Sequence, residues 1–162
     1  MTWASPLLIF GLLPFAEWVL PEPKTNATAA LPVAELKGWR FDVPIYVASL
    51  LHLATLGVFF RTITTFSGWE LVGLIVSMGI SCGALAINIG HELGHRKGDW
   101  EQGFAKILLS TSLYAHFFIE HNRGHHIRAA THDDPATARR GEWVFTFWFR
   151  SGLGGWLNAW RL

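Results

Sequence analysis

The histidines of this chain are concentrated in one region and are spaced as metal ligands often are. Seven of the eight lie in the second half of the chain, and two pairs among them stand four residues apart. On an α-helix, residues at that spacing lie on the same face, one turn apart, so that two imidazoles can bind one ion. The two pairs, with the histidine that directly follows the second, are His91 and His95, then His121, His125 and His126. This pattern predicts a metal site.

The number of histidines bears on which metal is bound. Residues 91–95 read HELGH, which also fits the zinc metallopeptidase pattern, in which two histidines bind zinc and the glutamate is the general base. A catalytic zinc needs three protein ligands and one open position, so the three histidines of the second motif would be surplus. Imidazole suits iron as well as zinc. The pattern favours two iron ions, with redox chemistry and oxygen activation, and the zinc peptidase stays an alternative.

The other three histidines lack this spacing. His52 lies within an apolar segment and is interpreted as a hydrogen-bonded polar group rather than a ligand. His116 and His132 are near the motifs, and we predict structural or ligand-orienting roles for them.

The elements that position these histidines are predicted to be membrane helices. Half of the chain, 51%, is hydrophobic, and 15% is charged, against about 25% in a typical soluble domain. Apolar segments occupy residues 3–20, 43–60 and 69–89, and a helix of roughly 20 apolar residues crosses a bilayer. The first segment contains two prolines and a glutamate, so it is a span, a buried hairpin arm or, less in keeping with its flanks, a signal sequence. Two buried core helices of a soluble protein are the alternative for the other two.

Charge predicts the orientation of these helices. Lysine and arginine are enriched in residues 21–42 and after residue 91, so both regions are predicted on the cytoplasmic side. This includes a histidine-motif region at residues 91–141. The net charge of +1 gives no reason to expect nucleic-acid binding.

The segments after the first motif are less regular. Residues 104–119 have apolar side chains at helical spacing and predict a helix packed at the membrane boundary. Residues 131–141 predict a loop. Residues 151–155, which read SGLGG, predict a break in the structure.

Several stretches resemble the bacterial integral-membrane alkane 1-monooxygenases. They are residues 88–97 (NIGHELGHRK), residues 116–126 (HFFIEHNRGHH), and Ala130-Thr131 with the DPAT sequence at residues 134–137. The resemblance runs from about residue 7 to the end. More distantly, the chain is similar to membrane fatty-acid desaturases and xylene monooxygenases, so a desaturase or xylene-type hydroxylase stays an alternative.

The resemblance implies an all-α, six-span bundle in the bacterial inner membrane, with two non-haem irons on its cytoplasmic side. Such an enzyme uses O2 and electrons from rubredoxin to convert an n-alkane to a 1-alkanol. By motif, the iron ligands would be His91, His95, His121, His125 and His126. Three carboxylates beside these motifs are inferred to orient imidazoles through the second ring nitrogen, namely Glu92, Glu120 and Asp134.

The chain also departs from the family pattern. The family carries two further histidine motifs toward its C-terminus, whereas no histidine follows His132 here. The resemblance also leads us to expect a further N-terminal span. We therefore predict that residues 1–162 are a single incomplete membrane domain, a partial sequence that cannot by itself assemble a working diiron centre.

Overall fold

The computed structural model describes residues 2–20 and 38–162, and every regular element in these ranges is helical, which confirms the predicted all-α fold. The α-helices are α1 (Ala4–Leu7), α2 (Leu13–Val19), α3 (Trp39–Thr62), α4 (Gly68–Ser81), α5 (Asn88–Gly94), α6 (Asp99–Ser110), α7 (His116–Ile119), α8 (His126–Arg128) and α9 (Val144–Ala159). Wider π-helical turns join several of them, at Leu8–Leu12, Cys82–Ile87 and Glu120–His125. Part of the orientation prediction rests on residues 21–37, which lie outside the described residues.

Two helices are long and apolar enough to cross a membrane, Trp39–Thr65 and Gly68–Gly94, whereas the first apolar segment forms the shorter helix Ala4–Val19. Only 11% and 22% of the apolar windows of the two long helices are buried in the protein. A helix in lipid satisfies its own backbone hydrogen bonds, and its apolar side chains need no cover from protein. Among the described residues, exposure of this extent is what helices lying in lipid would show.

The chain forms two compact units, and the first is Met1–Ala86. Within it, α1 and α3 both pack against α4. A Cβ atom at Gly73 would collide with the Trp3 indole, so glycine lets the N-terminal helix lie directly on α4. The buried His52 of α3 places Nδ1 3.1 Å from the Ser81 hydroxyl of α4, which confirms its interpretation as a hydrogen-bonded polar group.

The second unit, Ile87–Leu162, contains all of the histidine motifs. Here α5 packs along α6, while α7 and the π-helical turn after it pack against α9. The start of α6 is marked by Gly98 and by two acidic residues in its first turn, Asp99 and Glu101. Acidic side chains at that end are favourable because they face the positive end of the helix dipole.

Two of the local predictions need correction. The predicted helix over residues 104–119 is interrupted after Ser110, where the chain turns through Leu113 at a φ of 54° before α7 begins. The predicted break at residues 151–155 is wrong, because α9 runs through it without interruption. Glycine is a poor helix former, but tertiary packing overrides that preference here, since a Cβ at Gly154 would lie 2.9 Å from Pro135 Cβ. The predicted loop at residues 131–141 is confirmed.

Candidate metal centre

The first histidine motif lies at the end of the second candidate span. His91 belongs to α5 and His95 caps it, with ring centroids 4.7 Å apart, as expected for residues one helical turn apart. The preceding Gly90 is buried against α6, where a Cβ would lie 2.9 Å from Leu109 Cγ and 3.2 Å from the Ala105 carbonyl oxygen. Close packing on α6 therefore fixes the position of the helix that carries this pair.

The second motif is wound as a π-helix rather than an α-helix. Glu120–His125 forms i→i+5 hydrogen bonds, a widened turn that is frequent at functional sites. As a result, within this motif it is His126, five residues after His121, whose ring nitrogen lies next to that of His121. The two Nε2 atoms are 3.0 Å apart. The His125 ring stacks on that of His121 at 5.4 Å between centroids, but its Nδ1 atom bonds elsewhere.

Three histidines from the two motifs converge on one point. One nitrogen from each of His91, His95 and His121 lies within 4.8 Å of the others, and the Nε2 atoms of His95 and His121 are 3.2 Å apart. For a metal–imidazole bond of about 2.1 Å, two ligands at right angles have nitrogens about 3.0 Å apart. The spacing of the His95 and His121 nitrogens therefore fits two ligands of a single metal ion.

The electrostatics of the cluster favour a neutral His121 ring. Burial, and then the neighbouring imidazoles of His91 and His126, lower the pKa of His121 to about 4. At neutral pH this ring is uncharged, so a nitrogen lone pair is available to a metal ion.

The three carboxylates named from the sequence lie in different surroundings. Asp134 is buried, and its Oδ2 atom lies 2.8 Å from His125 Nδ1. Burial would raise the pKa of Asp134, but hydrogen bonds from Thr137, from the Ala136 N–H and from His125 outweigh it and lower the pKa. Asp134 is thus a carboxylate that can only accept, so His125 Nδ1 is the donor in this contact and Nε2 is the ring nitrogen that could bind a metal.

The other two carboxylates do not bond to a histidine within the described residues. Glu120 is buried and accepts a hydrogen bond from Asn158 Nδ2 of α9 at 3.0 Å. Glu92 is exposed, and its Oε1 atom lies 3.6 Å from Arg96 Nη2. Of the three, Asp134 has the geometry to orient an imidazole.

Sequence reasoning missed three side chains that support this region, namely Thr137, Asn158 and Arg150. Thr137 lies in the DPAT sequence, which the sequence analysis singled out, but the sequence did not predict its hydrogen bond to Asp134. Asn158 and Arg150 both lie on α9, but the break predicted at residues 151–155 would have separated them. Nothing local in the sequence relates them to residues 120–142.

A cleft of about 440 Å³ opens beside the histidines in the same unit. His121 and His125 form part of its wall, and Phe117, Phe147 and Trp148 form much of the rest. The cleft therefore combines candidate metal-ligating side chains with an apolar surface.

The family comparison agrees with this site. The profile of the fatty acid desaturase family matches residues 67–162, which include both candidate motifs and more than half of the chain. The chain belongs to the fatty acid desaturase family. Membership of this desaturase family implies a metal-dependent, non-haem iron enzyme, and the second unit contains a histidine cluster that could hold a metal ion.

Curated relatives narrow the similarity within that family. The chain is 39% identical to alkane 1-monooxygenase 1 of Alcanivorax borkumensis, over 99% of this chain and 40% of the relative. It is 39% identical to the alkane 1-monooxygenase of Pseudomonas putida (94% and 38%) and 40% identical to that of Acinetobacter baylyi (96% and 38%). The resemblance to alkane 1-monooxygenases is therefore confirmed, and this desaturase-family chain spans about 40% of the length of these relatives. The relatives and the two apolar helices together indicate a membrane location.

Proposed function

We propose that the protein is a membrane diiron monooxygenase that hydroxylates the terminal methyl group of n-alkanes to 1-alkanols with O2. The similarity to alkane 1-monooxygenases over nearly the whole chain carries this proposal. The convergence of His91, His95 and His121 supports it, because it provides the metal site that the reaction needs. Neither the zinc peptidase nor a desaturase acting on acyl chains is favoured by these relatives.

The proposed ligands are the five histidines of the two motifs, His91, His95, His121, His125 and His126. Iron, when bound, supplies the redox chemistry and the activation of dioxygen. The protein's part is to hold neutral imidazoles in place, and Asp134 contributes by accepting a hydrogen bond from His125 Nδ1, so that Nε2 is presented for coordination. Two irons are proposed because the five histidines are more ligands than a single metal site of this kind needs.

An alkane has no polar group, so recognition must come from shape and burial. Each methylene group buried away from water contributes about 0.8 kcal/mol, which makes the depth of an apolar cavity the main determinant of chain-length preference. We propose rubredoxin as the electron donor and the bacterial inner membrane as the location. The metal site would face the cytoplasm, as the excess of lysine and arginine after residue 91 suggests.

The test uses the full-length protein in bacterial membranes. We expect iron rather than zinc in the purified protein, and 1-octanol from octane when rubredoxin and its reductase are supplied. Replacing His121 with alanine should reduce both iron content and product to background. Replacing Arg140, which is exposed and lies outside the cluster, should change neither.

The alternatives give different results in the same experiment. Stoichiometric zinc with peptide cleavage would establish the peptidase. Iron with double-bond formation in an acyl chain, and no octanol, would establish a desaturase. Full iron content in the His121→Ala variant would refute the proposed ligand set.

A further inference from the structure

The Asp134 carboxylate, which contacts His125, is itself held by a compact loop. Asp134 Oδ2 accepts a hydrogen bond from the Thr137 hydroxyl at 2.5 Å, and Oδ1 accepts one from the Ala136 N–H at 2.9 Å. Thr137 Oγ1 in turn accepts the Ala130 N–H at 2.9 Å. The side chain of Asp134 is therefore fixed by its own loop before it meets His125.

That loop is tied to α9 by one arginine. Arg150 donates from Nε and Nη2 to the two carboxylate oxygens of Glu142, at 2.6 and 2.7 Å. It also donates from Nη1 to the Pro135 carbonyl oxygen at 3.1 Å and from Nη2 to the Thr137 carbonyl oxygen at 2.9 Å. Two of these four bonds end on the backbone beside Asp134.

The ion pair between Arg150 and Glu142 is charged and largely buried. Hydrogen bonds from Arg150, and then from the Arg139 N–H, lower the pKa of Glu142 to about 2, so the pair stays charged at neutral pH. Of the side chains involved, Glu142 is 8% exposed and Arg150 is 23% exposed. A planar guanidinium has five N–H donors and can make these four bonds at once, whereas a lysine ammonium has only three.

We propose that Arg150 is a positioning residue for the metal centre, because it fixes the loop of residues 134–142 and so holds Asp134 against His125 Nδ1. The inference rests on the proposed metal centre. The inference adds a series of contacts to that metal centre. These contacts run from Arg150 through the loop and Asp134 to His125, whose Nε2 atom is presented for coordination. Arg150 touches neither the histidines nor the substrate in this scheme.

The first test compares Arg150→Lys with Arg140→Lys in the full-length, iron-loaded protein. Arg140 is an exposed arginine of the same loop, so its replacement makes the same chemical change without touching the clamp. The readout is the rate at which iron is lost to a chelator. We expect Arg150→Lys to lose iron about 10-fold faster or more, as is typical when a group supporting a metal ligand is removed, and Arg140→Lys to match the parent.

The second test asks whether Arg150 acts through Asp134. If it does, the double variant Arg150→Lys/Asp134→Asn should lose iron no faster than Asp134→Asn alone, because effects on one line of contacts are not additive. A merely structural role for Arg150 would give additive effects. Thr137 provides a matched pair: Thr137→Ser keeps the hydroxyl and should retain iron like the parent, whereas Thr137→Val should behave like Asp134→Asn.

The third test does not need metal. In the metal-free protein, hydrogen exchange of the amides of residues 136–142 should accelerate in Arg150→Lys and stay unchanged in Arg140→Lys. If the parent protein binds no iron, the proposed function fails. If the parent binds iron but Arg150→Lys matches it in iron loss and loop exchange, the proposed function stands and the positioning role is refuted.

Discussion

Gly154 of α9 packs against Pro135, the residue next to Asp134, and its replacement by alanine tests how closely that contact is fitted. The new Cβ would lie 2.9 Å from Pro135 Cβ and 3.4 Å from Cγ. Carbon atoms in contact prefer about 3.5–4.0 Å, so the helix and the loop must separate by about 0.6–1.1 Å. The proline ring is rigid and cannot turn aside as a flexible side chain would.

The size of the effect follows from two opposing contributions. Alanine stabilises a helix interior by about 1 kcal/mol relative to glycine. Overpacking of a close contact costs about 1–3 kcal/mol, so Gly154→Ala should be neutral to destabilising by about 2 kcal/mol. Gly152 is the matched control, because a Cβ there meets nothing within 4 Å, and Gly152→Ala should show the helix gain alone.

The contact also has a consequence for the metal centre. A shift of about 0.6 Å in Asp134 would lengthen its 2.8 Å contact with His125 to about 3.4 Å, beyond the usual range of a hydrogen bond. We therefore expect Gly154→Ala to have a lower Tm than Gly152→Ala in detergent and to lose iron to a chelator faster. If the two variants have equal Tm values and equal rates of iron loss, the reasoning about this contact is wrong.

Three further predictions concern packing, the membrane helices and the metal. Gly90→Ala should be neutral to destabilising by about 2 kcal/mol, because its Cβ would lie 2.9 Å from Leu109 Cγ and the overpacking cost offsets the helix gain of alanine. A Cβ at Gly83 meets nothing within 4 Å, so Gly83→Ala should have the higher Tm. Equal Tm values would contradict this. Ser81→Ala removes the hydroxyl that lies 3.1 Å from His52 Nδ1. The free energy of unfolding should fall by only about 0.6 kcal/mol, the usual size of such bonds in membrane helices. A loss above about 2 kcal/mol would contradict this. Removal of iron by a chelator should lower the Tm, since a ligand that binds only the folded state stabilises it; an unchanged Tm would argue that the folded state does not bind the metal preferentially.

Much of the fold could be predicted from the sequence because it depends on local chain properties. The apolar segments at residues 43–60 and 69–89 predict helices by length and composition, and both lie within the two long helices of the structure. The spacing of His91 and His95 predicts that their rings lie together, which the 4.7 Å between centroids confirms. The ends of helices are harder to predict. Residues 151–155 contain three glycines, whose low helix propensity predicted a break, but packing overrides this weak preference and α9 continues.

What the sequence alone determined is the helical class, the presence of a histidine cluster and the resemblance to a family, because each depends on residue type and spacing along one chain segment. Only the tertiary structure decided which groups meet. The π-helical turn brings His126 rather than His125 to the His121 nitrogen, and it is Asp134 that reaches an imidazole. These outcomes depend on backbone winding and on contacts between distant segments. The pattern of side chains along a helix does not encode either of them.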